Sequence, residues 1–367
     1  MLKIGIITPI SNEYPFLGRD LEEGLKLALQ GYNDLTVISI EAGRGAPKDV
    51  LPIFRQLLIR EEVSIIIAFI DILSLQSASE LIEQCRIPVI ATGMGARLPL
   101  AVSQNESYLF YNTFRMWESC WLSGNIACNT IGKKVGTISS FFDSGFPLTY
   151  AHTKGTESSG GTPVFFNITN KDVPEQELAA VHQNMETIEA DYYFVSSYGK
   201  ERSAMLKWIA EKGISQERVV ASPTILPLGK ESVFTVSSWF KELDTPENNA
   251  FRNSIKQTTR HDANVFSMLG YETGLWIAQA CDAGDDDFDS EKCMQKLRDA
   301  VFSGPRGTVR VSKNQATYSD HFQTINLHEE GVARLNPVQY PLSTVEKETE
   351  TNQIPNMIGW QNTYLCK

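Results

Sequence analysis

The chain has 367 residues, enough for two or three domains of about 150 residues, each with its own hydrophobic core. Hydrophobic residues make up 42% of the sequence and charged residues 21%, which excludes a largely disordered protein. The formal net charge of −11 disfavours a nucleic-acid-binding protein, because such proteins need a basic surface to displace the counterions of the phosphates.

Apolar strands alternate with amphipathic helices over the first third of the chain. Between the strands, apolar residues recur at helical spacing, as Leu21, Leu25 and Ala28 do. Nearly continuous apolar strands separated by helices are typical of a parallel sheet that is covered on both faces. The predicted strands of this first series are Ile4–Thr8, Thr36–Ile40, Ser64–Ile70, Pro88–Ala91 and Tyr108–Tyr111.

A second series of strands and helices begins at Lys134. Two consecutive series of this size predict two doubly wound lobes with right-handed crossovers. The polar segment 242–249 is predicted to pass between the lobes, and the segment 303–319, rich in Gly, Ser and Lys, is predicted to be mainly loop. The predicted strands of the second series are Val135–Ser139, Pro163–Asn167, Asp191–Ser196, Val219–Ala221 and Val233–Val236.

The apolar runs are too short for a membrane protein. The run 63–70 contains Ser64 and ends before Asp71, whereas a helix needs about 20 apolar residues to cross a bilayer. No basic and then apolar leader precedes Lys3. We therefore expect either a cytoplasmic protein or an exported protein whose signal peptide has been removed.

The six cysteines and five histidines show no metal-binding spacing. The sequence therefore predicts neither a metal site nor a cofactor. Cys281 and Cys293 flank an acidic run and could form a disulfide in an exported protein, or they could be buried free thiols.

The acidic run 282–291 raises the question of a calcium site. An EF-hand loop needs Gly at its sixth position and Glu at its twelfth, but counting from Asp285 these positions hold Ser290 and Lys296. The run is better interpreted as a loop between helices, in which Asp289 or Ser290 caps a helix over 291–301.

Motifs of the common enzyme classes are absent from the sequence. It contains no nucleophile elbow, P-loop or zinc-protease motif, and the Gly93-Met94-Gly95 turn lacks the third glycine of a dinucleotide-binding loop. The histidines have no evident nucleophile partner, and most of them are expected to face solvent. We therefore predict that the protein is not an enzyme.

Several longer stretches carry a family resemblance over most of residues 3–335. These are KIGIITPIS, FLGRDLEEGLKLAL, APKDVLPIFRQLL, SIIIAFID, WLSGNIACNTIGKKVGTI, LDTPENNAFRNSIK, GYETGLWIAQACD and GPRGTVRVSKNQATYSDHFQTINL, of which the last is the most distinctive. With them the chain resembles the type I periplasmic solute-binding proteins, in the branch that contains branched-chain amino-acid, urea and amide receptors.

The resemblance implies an α/β fold with two doubly wound parallel-sheet lobes, joined by a three-strand hinge and closing around a small solute. It places the three crossovers near Met116, Asp244 and His321. The implied division of the chain is 1–116 and 245–321 for the first lobe, 117–244 and 322–342 for the second lobe, and 343–367 for a C-terminal tail of unknown role.

In parallel α/β sheets, ligands bind outside the carboxyl ends of the strands. In the first lobe, the loops that follow the strands lead into helix N-termini, whose backbone N–H groups suit a carboxylate or carbonyl oxygen. Phe16 could instead pack under the following helix, Ser74 could cap a helix, and Asp71 could either cap a helix or meet a cation. The predicted solute-binding residues here are Ser11, Tyr14, Phe16, Asp71, Ile72, Ser74, Thr92, Gly93 and Met94.

In the second lobe, hydroxyls alternate with aromatic residues at the corresponding loops. The predicted solute-binding residues are Phe146, Ser197, Tyr198 and Thr224, although an aromatic residue near a glycine could also simply anchor its loop. Amino-acid-binding relatives commonly hold the ligand's ammonium with an acidic residue near Thr224, and this chain has none there. Either Asp71 or Asp143 takes that role, or the ligand is not a plain zwitterion.

The function that the resemblance implies is that of a receptor for an ABC-type importer. Its ligand would be a small amphiphilic solute such as an amino acid, an amide or a urea-like compound, and its partner a membrane permease. It would lie in the periplasm or be lipid-anchored outside the inner membrane. The alternative is a cytoplasmic amide-type sensor that controls a regulatory partner.

Overall fold

The computed structural model describes residues 2–98, 108–140, 145–169, 175–197, 199–223, 233–281, 288–318, 322–326 and 334–338. Within these residues, none of the helices is both long and apolar enough to cross a bilayer. The α-helices are α1 (Leu17–Ala28), α2 (Pro47–Arg55), α3 (Ile72–Gln76), α4 (Ser79–Cys85), α5 (Met116–Thr130), α6 (Gly145–Ser158), α7 (Glu175–Thr187), α8 (Gly199–Glu211), α9 (Pro246–Thr259), α10 (Val265–Ala280) and α11 (Ser290–Arg298).

The strands form two sheets, and each is mostly parallel. The first sheet contains β1 (Leu2–Thr8), β2 (Leu35–Glu41), β3 (Ile65–Ala68), β4 (Val89–Gly93), β5 (Leu109–Thr113), β11 (Val301–Gly304), β12 (Gly307–Ser312) and β13 (Gln315–Tyr318). The second sheet contains β6 (Lys134–Ser140), β7 (Thr162–Thr169), β8 (Tyr192–Ser196), β9 (Val219–Ala221), β10 (Phe234–Ser237), β14 (Phe322–Asn326) and β15 (Arg334–Val338).

The two sheets share one winding order. The first runs β11-β12-β13-β5-β4-β3-β1-β2, and the second runs β15-β14-β10-β9-β8-β6-β7. In each sheet the first strand of its series lies between the second and the third, which is the doubly wound arrangement with a switch point beside that strand. The expected α/β fold with two parallel-sheet lobes is therefore confirmed.

The segment 303–319 was predicted to be mainly loop, and this prediction is wrong. Strands β11, β12 and β13 form an antiparallel meander that extends the first sheet, with β13 pairing with β5. The turn between β12 and β13 is Lys313-Asn314, and both residues have positive φ, at 49° and 59°. Two successive positive φ angles give the turn that suits the right-handed twist of a two-residue hairpin, so a polar composition is compatible with a hairpin here.

The helix predicted over 291–301 begins and ends close to that range. It is α11, and the Asp289 carboxylate caps it by accepting hydrogen bonds from the N–H groups of Glu291 and Lys292. Of the two predicted candidates, Asp289 and Ser290, the cap is Asp289. The helix ends at Arg298, and Val301 instead begins β11.

The chain passes between the two sheets three times. These passages lie between β5 and β6, between β10 and β11, and between β13 and β14. Met116 is the first residue of α5 in the first passage, and Asp244 precedes α9 in the second. His321 lies outside the described residues.

A buried arginine ties the first two passages together. Arg306, in the turn between β11 and β12, donates to the carbonyl of Thr113 at 2.7 Å and to the hydroxyl of Ser238 at 3.4 Å. Ser238 in turn donates to the carbonyl of Phe114 at 2.6 Å. Thr113 and Phe114 lie where the chain leaves β5, and Ser238 lies where it leaves β10, so these bonds join the two crossovers.

Candidate functional site

A pocket lies at the carboxyl ends of β3, β4 and β5 in the first sheet. It holds about 470 Å³ of empty space including its open mouth. This is the edge at which a parallel α/β sheet presents its loops and helix N-termini. Its lining residues are Phe69, Ile70, Asp71, Ile72, Leu75, Ala91, Thr92, Gly93, Met94, Gly95, Ala96, Arg97, Tyr111 and Thr113.

Asp71 has two partners in this pocket. Its carboxylate accepts a hydrogen bond from the N–H of Leu73 at 2.9 Å and so caps α3. It also pairs with Arg97, whose Nε lies 3.2 Å from Oδ2. Both charged side chains are largely buried, with 8% and 14% of their surface exposed. The negative charge of Asp71 is therefore compensated within the protein before any ligand arrives.

Thr92 offers a hydroxyl to the pocket. It is the fourth residue of β4, and only 1% of its surface is exposed. Its Oγ1 has no hydrogen-bond partner among the described residues. A buried hydroxyl without a partner costs free energy, and a ligand that bonds to it recovers that cost.

The loop after β4 binds directly to the first crossover. The carbonyls of Gly93, Met94 and Gly95 accept hydrogen bonds from the N–H groups of residues 114, 116 and 117 at 2.8, 3.0 and 2.9 Å. Gly95 has a φ of +66°, and a Cβ there would lie 2.6 Å from the Thr113 hydroxyl oxygen, so glycine is required. The pocket wall and the start of α5 therefore form one connected unit.

The three residues predicted in the loop after β1 lie behind the pocket. The hydroxyl of Ser11 accepts the N–H of Tyr14 at 2.9 Å, and Tyr14 is buried. The rings of Tyr14 and Phe16 both pack against Phe266, at 5.6 and 6.2 Å between centroids. The ring of Phe266 also contacts the ring of Phe69, at 5.8 Å between centroids, and Phe69 lines the pocket. Solute contact by Ser11, Tyr14 and Phe16 stays a prediction.

Ser74 lies in the first turn of α3 and is fully buried. Its hydroxyl donates to the carbonyl of Gly45 at 2.6 Å, and the cap of the helix is Asp71 instead. The bond to Gly45 ties α3 to the loop before α2.

Two of the residues predicted in the second lobe lie outside the described residues, namely Tyr198 and Thr224, as does Asp143. Phe146 lies in the first turn of α6, but its side chain is outside what the structure describes. Ser197 follows β8 and is buried. The hydroxyls of Ser196, Ser197 and Ser222, at the ends of β8 and β9, have no hydrogen-bond partner within the described ranges. They resemble Thr92 in chemistry and in position on the sheet.

A buried histidine lies close to a serine in the second lobe. His152 Nδ1 lies 2.9 Å from the hydroxyl oxygen of Ser123, and its ring stacks on Phe194 at 3.7 Å. His152 is fully buried, and burial lowers its pKa to about 3. The neutral ring has no solvent access, so it serves the core.

One group of side chains in the described part of the chain has metal-binding composition. Asp20, Glu23 and His261 place a ligand atom each within 4.8 Å of one another. The Asp20 carboxylate already accepts hydrogen bonds from Arg19 and Asn264. A carboxylate with these partners is satisfied by the protein itself.

The structure adds pocket residues that the sequence did not indicate. Arg97 comes after the predicted loop, Tyr111 is the last residue of the predicted strand Tyr108–Tyr111, and Thr113 lies beyond that strand. No spacing rule predicts them, because the meeting of β4, β5 and their loops depends on the order of strands in the sheet.

Comparison with known families gives one extensive match. A family model described as a periplasmic binding protein matches residues 1–324. A comparison with curated protein sequences gives no match.

Comparison with solved structures gives similar folds at low sequence identity. A solute-binding protein of an ABC transporter from R. palustris, in complex with benzoate, has 17% identity, a TM-score of 0.73 and coverage of 91% of this chain and 95% of that one. An ABC transporter substrate-binding protein from Sphaerobacter thermophilus has 19% identity, a TM-score of 0.76 and coverage of 92% and 98%. A branched-chain amino acid transporter substrate-binding protein from Streptococcus pneumoniae, in complex with isoleucine, has 15% identity, a TM-score of 0.70 and coverage of 92% and 99%.

Proposed function

The chain belongs to the periplasmic binding protein family, and from this premise we propose that it is the solute receptor of an ABC-type importer. Its two lobes close on a small solute, and the closed form is the one that a membrane permease recognises. It acts outside the inner membrane, in the periplasm or attached to the membrane by a lipid.

The observation that carries this proposal is the pocket at the ends of β3, β4 and β5. It combines an apolar wall from Ile72, Leu75 and Met94 with a buried hydroxyl at Thr92 that lacks a partner among the described residues. An apolar pocket with a few convergent polar groups is typical of a small-molecule site.

The solute that suits the pocket carries a carboxylate or carbonyl oxygen beside an apolar body. Thr92 can donate its hydroxyl proton to such an oxygen, and Arg97 supplies a positive charge at the same pocket. Since Arg97 already compensates Asp71, we do not assign the ligand's ammonium to that carboxylate. Benzoate and isoleucine, the ligands of two structural neighbours, both have this build. Amides and urea-like compounds remain in the proposed solute class.

Hydrogen bonds connect the proposed solute pocket to the crossovers between the lobes. The loop 93–95 bonds to residues 114–117, and Arg306 links the same crossover to Ser238. A solute that contacts both lobes binds the closed state better than the open one, and this difference in affinity shifts the population toward closure.

A thermal-shift screen tests the proposed function. The panel contains branched-chain amino acids, benzoates, short aliphatic carboxylates, amides and urea. Specific binding to the folded state raises the melting temperature, by an amount that grows with solute concentration. We expect at least one class to raise it. A panel in which no compound does so would contradict the proposed solute class.

A further inference from the structure

Cys281 and Cys293 face each other in the first lobe, away from the proposed solute pocket. Their sulfur atoms lie 2.9 Å apart, and both residues are buried, with 7% and 3% of their surface exposed. The structure records both as free thiols. A disulfide bond is about 2.05 Å long, so the two sulfurs need to approach by only about 0.9 Å to bond.

The backbone of both residues is held by regular structure. Cys281 is the C-cap of α10, and its N–H donates to the carbonyl of Ile277 at 2.9 Å. Cys293 lies in the first turn of α11, and its N–H donates to the carbonyl of Asp289 at 2.9 Å. The two helices are joined further along, where the Trp276 indole donates to the carbonyl of Leu297 at 2.9 Å. The sulfur pair is therefore pre-positioned by packing that does not depend on it.

We propose that Cys281 and Cys293 are a site of covalent modification, at which a small-molecule disulfide such as oxidised glutathione converts the two thiols into a disulfide. One cysteine sulfur displaces a thiol from the oxidant and forms a mixed disulfide. The second cysteine sulfur then displaces the other thiol. One sulfur–sulfur bond forms and one breaks, the cysteines are oxidised, the oxidant is reduced, and the two released thiols carry the two protons.

The timing of oxidation follows from the surroundings of the pair. Because of its hydrogen bond with Cys281 and its burial, Cys293 has a pKa raised well above that of an ordinary thiol. The thiolate is the reacting species, so the folded protein reacts slowly, and oxidation is fastest while the chain is still folding. The disulfide closes a short loop and joins α10 to α11. It lowers the conformational entropy of the unfolded chain more than that of the folded chain, and so it stabilises the folded protein.

Peptide mapping tests this proposal, because trypsin cuts between Lys292 and Cys293. The protein is refolded with oxidised glutathione, its remaining thiols are alkylated in denaturant, and it is digested. We expect peptides 261–292 and 293–296 to be recovered linked, with a mass lower by two hydrogen atoms than their sum. Recovery of both peptides separately, each alkylated, would overturn the proposal.

Two variants provide the controls. Cys120→Ala removes a different buried cysteine and should leave the linked peptides unchanged. Cys293→Ala should abolish them, even though the variant is refolded in the same way. In the wild type and in Cys120→Ala the oxidised form should melt at a higher temperature than the reduced form. Equal melting temperatures of linked and reduced wild type would overturn the stabilising role of the bridge.

Discussion

Arg306 and Glu272 form a fully buried ion pair, with Nε of the arginine 2.9 Å from Oε2 of the glutamate. Glu272 lies on α10. Arg306 lies in the turn between β11 and β12, at the start of the stretch GPRGTVRVSKNQATYSDHFQTINL. The same guanidinium donates to Thr113 and Asn112 beside the first crossover. The most distinctive stretch of the sequence therefore supplies the residue that anchors the hinge.

Removing the arginine alone should be costly. Arg306→Met leaves Glu272 buried without its charge partner, and we expect the free energy of unfolding to fall by roughly 3–5 kcal/mol. Urea unfolding followed by circular dichroism measures this change.

The double variant Arg306→Met with Glu272→Leu is the matched control for that experiment. It removes both charges, so it should lose less stability than the single variant despite the extra substitution. If the single variant loses less than about 1 kcal/mol of unfolding free energy, as when an exposed ion pair is broken, then this buried pair does not stabilise the fold.

Removing the charge of Arg97 and removing the charge of Asp71 should have opposite effects on solute affinity. For a carboxylate solute, Arg97→Gln should weaken binding by roughly ten- to a hundredfold, because a charge-assisted hydrogen bond is lost and Asp71 is left uncompensated. Asp71→Asn should keep or raise the affinity, since asparagine still caps α3 and the pocket gains positive charge. Isothermal titration calorimetry measures both.

Arg19→Gln serves as the control for the pocket charges, because Arg19 is more than half exposed and pairs with Asp20 on α1. The affinity of Arg19→Gln for the solute should match that of the wild type. If Asp71→Asn instead abolishes binding of an amino acid while binding of benzoates survives, Asp71 holds the ammonium and the assignment above is wrong.

Thr92→Val should separate affinity from stability. The hydroxyl has no protein partner among the described residues, so its replacement by a methyl group should leave the melting temperature of the free protein unchanged or slightly higher. Solute affinity should fall roughly three- to tenfold, the value of one hydrogen bond.

Thr156→Val is the opposite case and the control for Thr92. The Thr156 hydroxyl bonds to the carbonyl of His152 at 3.0 Å and to the Tyr192 hydroxyl at 2.9 Å. That variant should lose stability and keep its affinity. If Thr92→Val keeps its solute affinity, as Thr156→Val is expected to do, then Thr92 does not contact the solute.

His152 should make the protein sensitive to acid. Burial lowers its pKa from 6.5 to about 3, so between these values the unfolded chain binds a proton that the folded chain does not. The free energy of unfolding therefore falls as the pH falls through this window, by up to about 1.4 kcal/mol per pH unit from this residue. Urea unfolding between pH 4 and pH 6.5 measures the slope.

His152→Asn removes the titrating group, so its slope should be smaller than that of the wild type, whatever its absolute stability. Thr156→Val disturbs the same buried cluster without removing a titrating group, so it is the matched control and should keep the wild-type slope. An identical slope in His152→Asn would show that other groups cause the acid sensitivity.

The parallel part of the fold could be predicted from the sequence because its inner strands, such as β3, β8 and β9, are buried on both faces. The edge strands β2 and β7 are partly exposed. Val219–Ala221 is observed with the predicted bounds, and the other strands of both series differ by only a few residues at their ends. The meander β11 to β13 escaped prediction because exposed residues alternate with less exposed ones in β11 and β12, and because its turn depends on the positive φ of Lys313 and Asn314.

The candidate site was predictable only in part. Asp71, Thr92 and Met94 lie at or just beyond the carboxyl ends of apolar strands, and the rule that ligands bind at strand ends brings them together in one pocket. Arg97 and Arg306 could not be found in this way. Their roles depend on which segments the fold makes adjacent, and a charged residue in a loop is usually solvated.

Small-angle X-ray scattering measures closure of the two lobes directly. The protein is compared without solute and with a saturating concentration of the compound that most raises its melting temperature. Closure on the solute predicts a smaller radius of gyration in the bound state, and Thr92→Val should need a higher concentration to reach it. A radius that stays constant while the melting temperature rises would mean that the solute binds without bringing the lobes together.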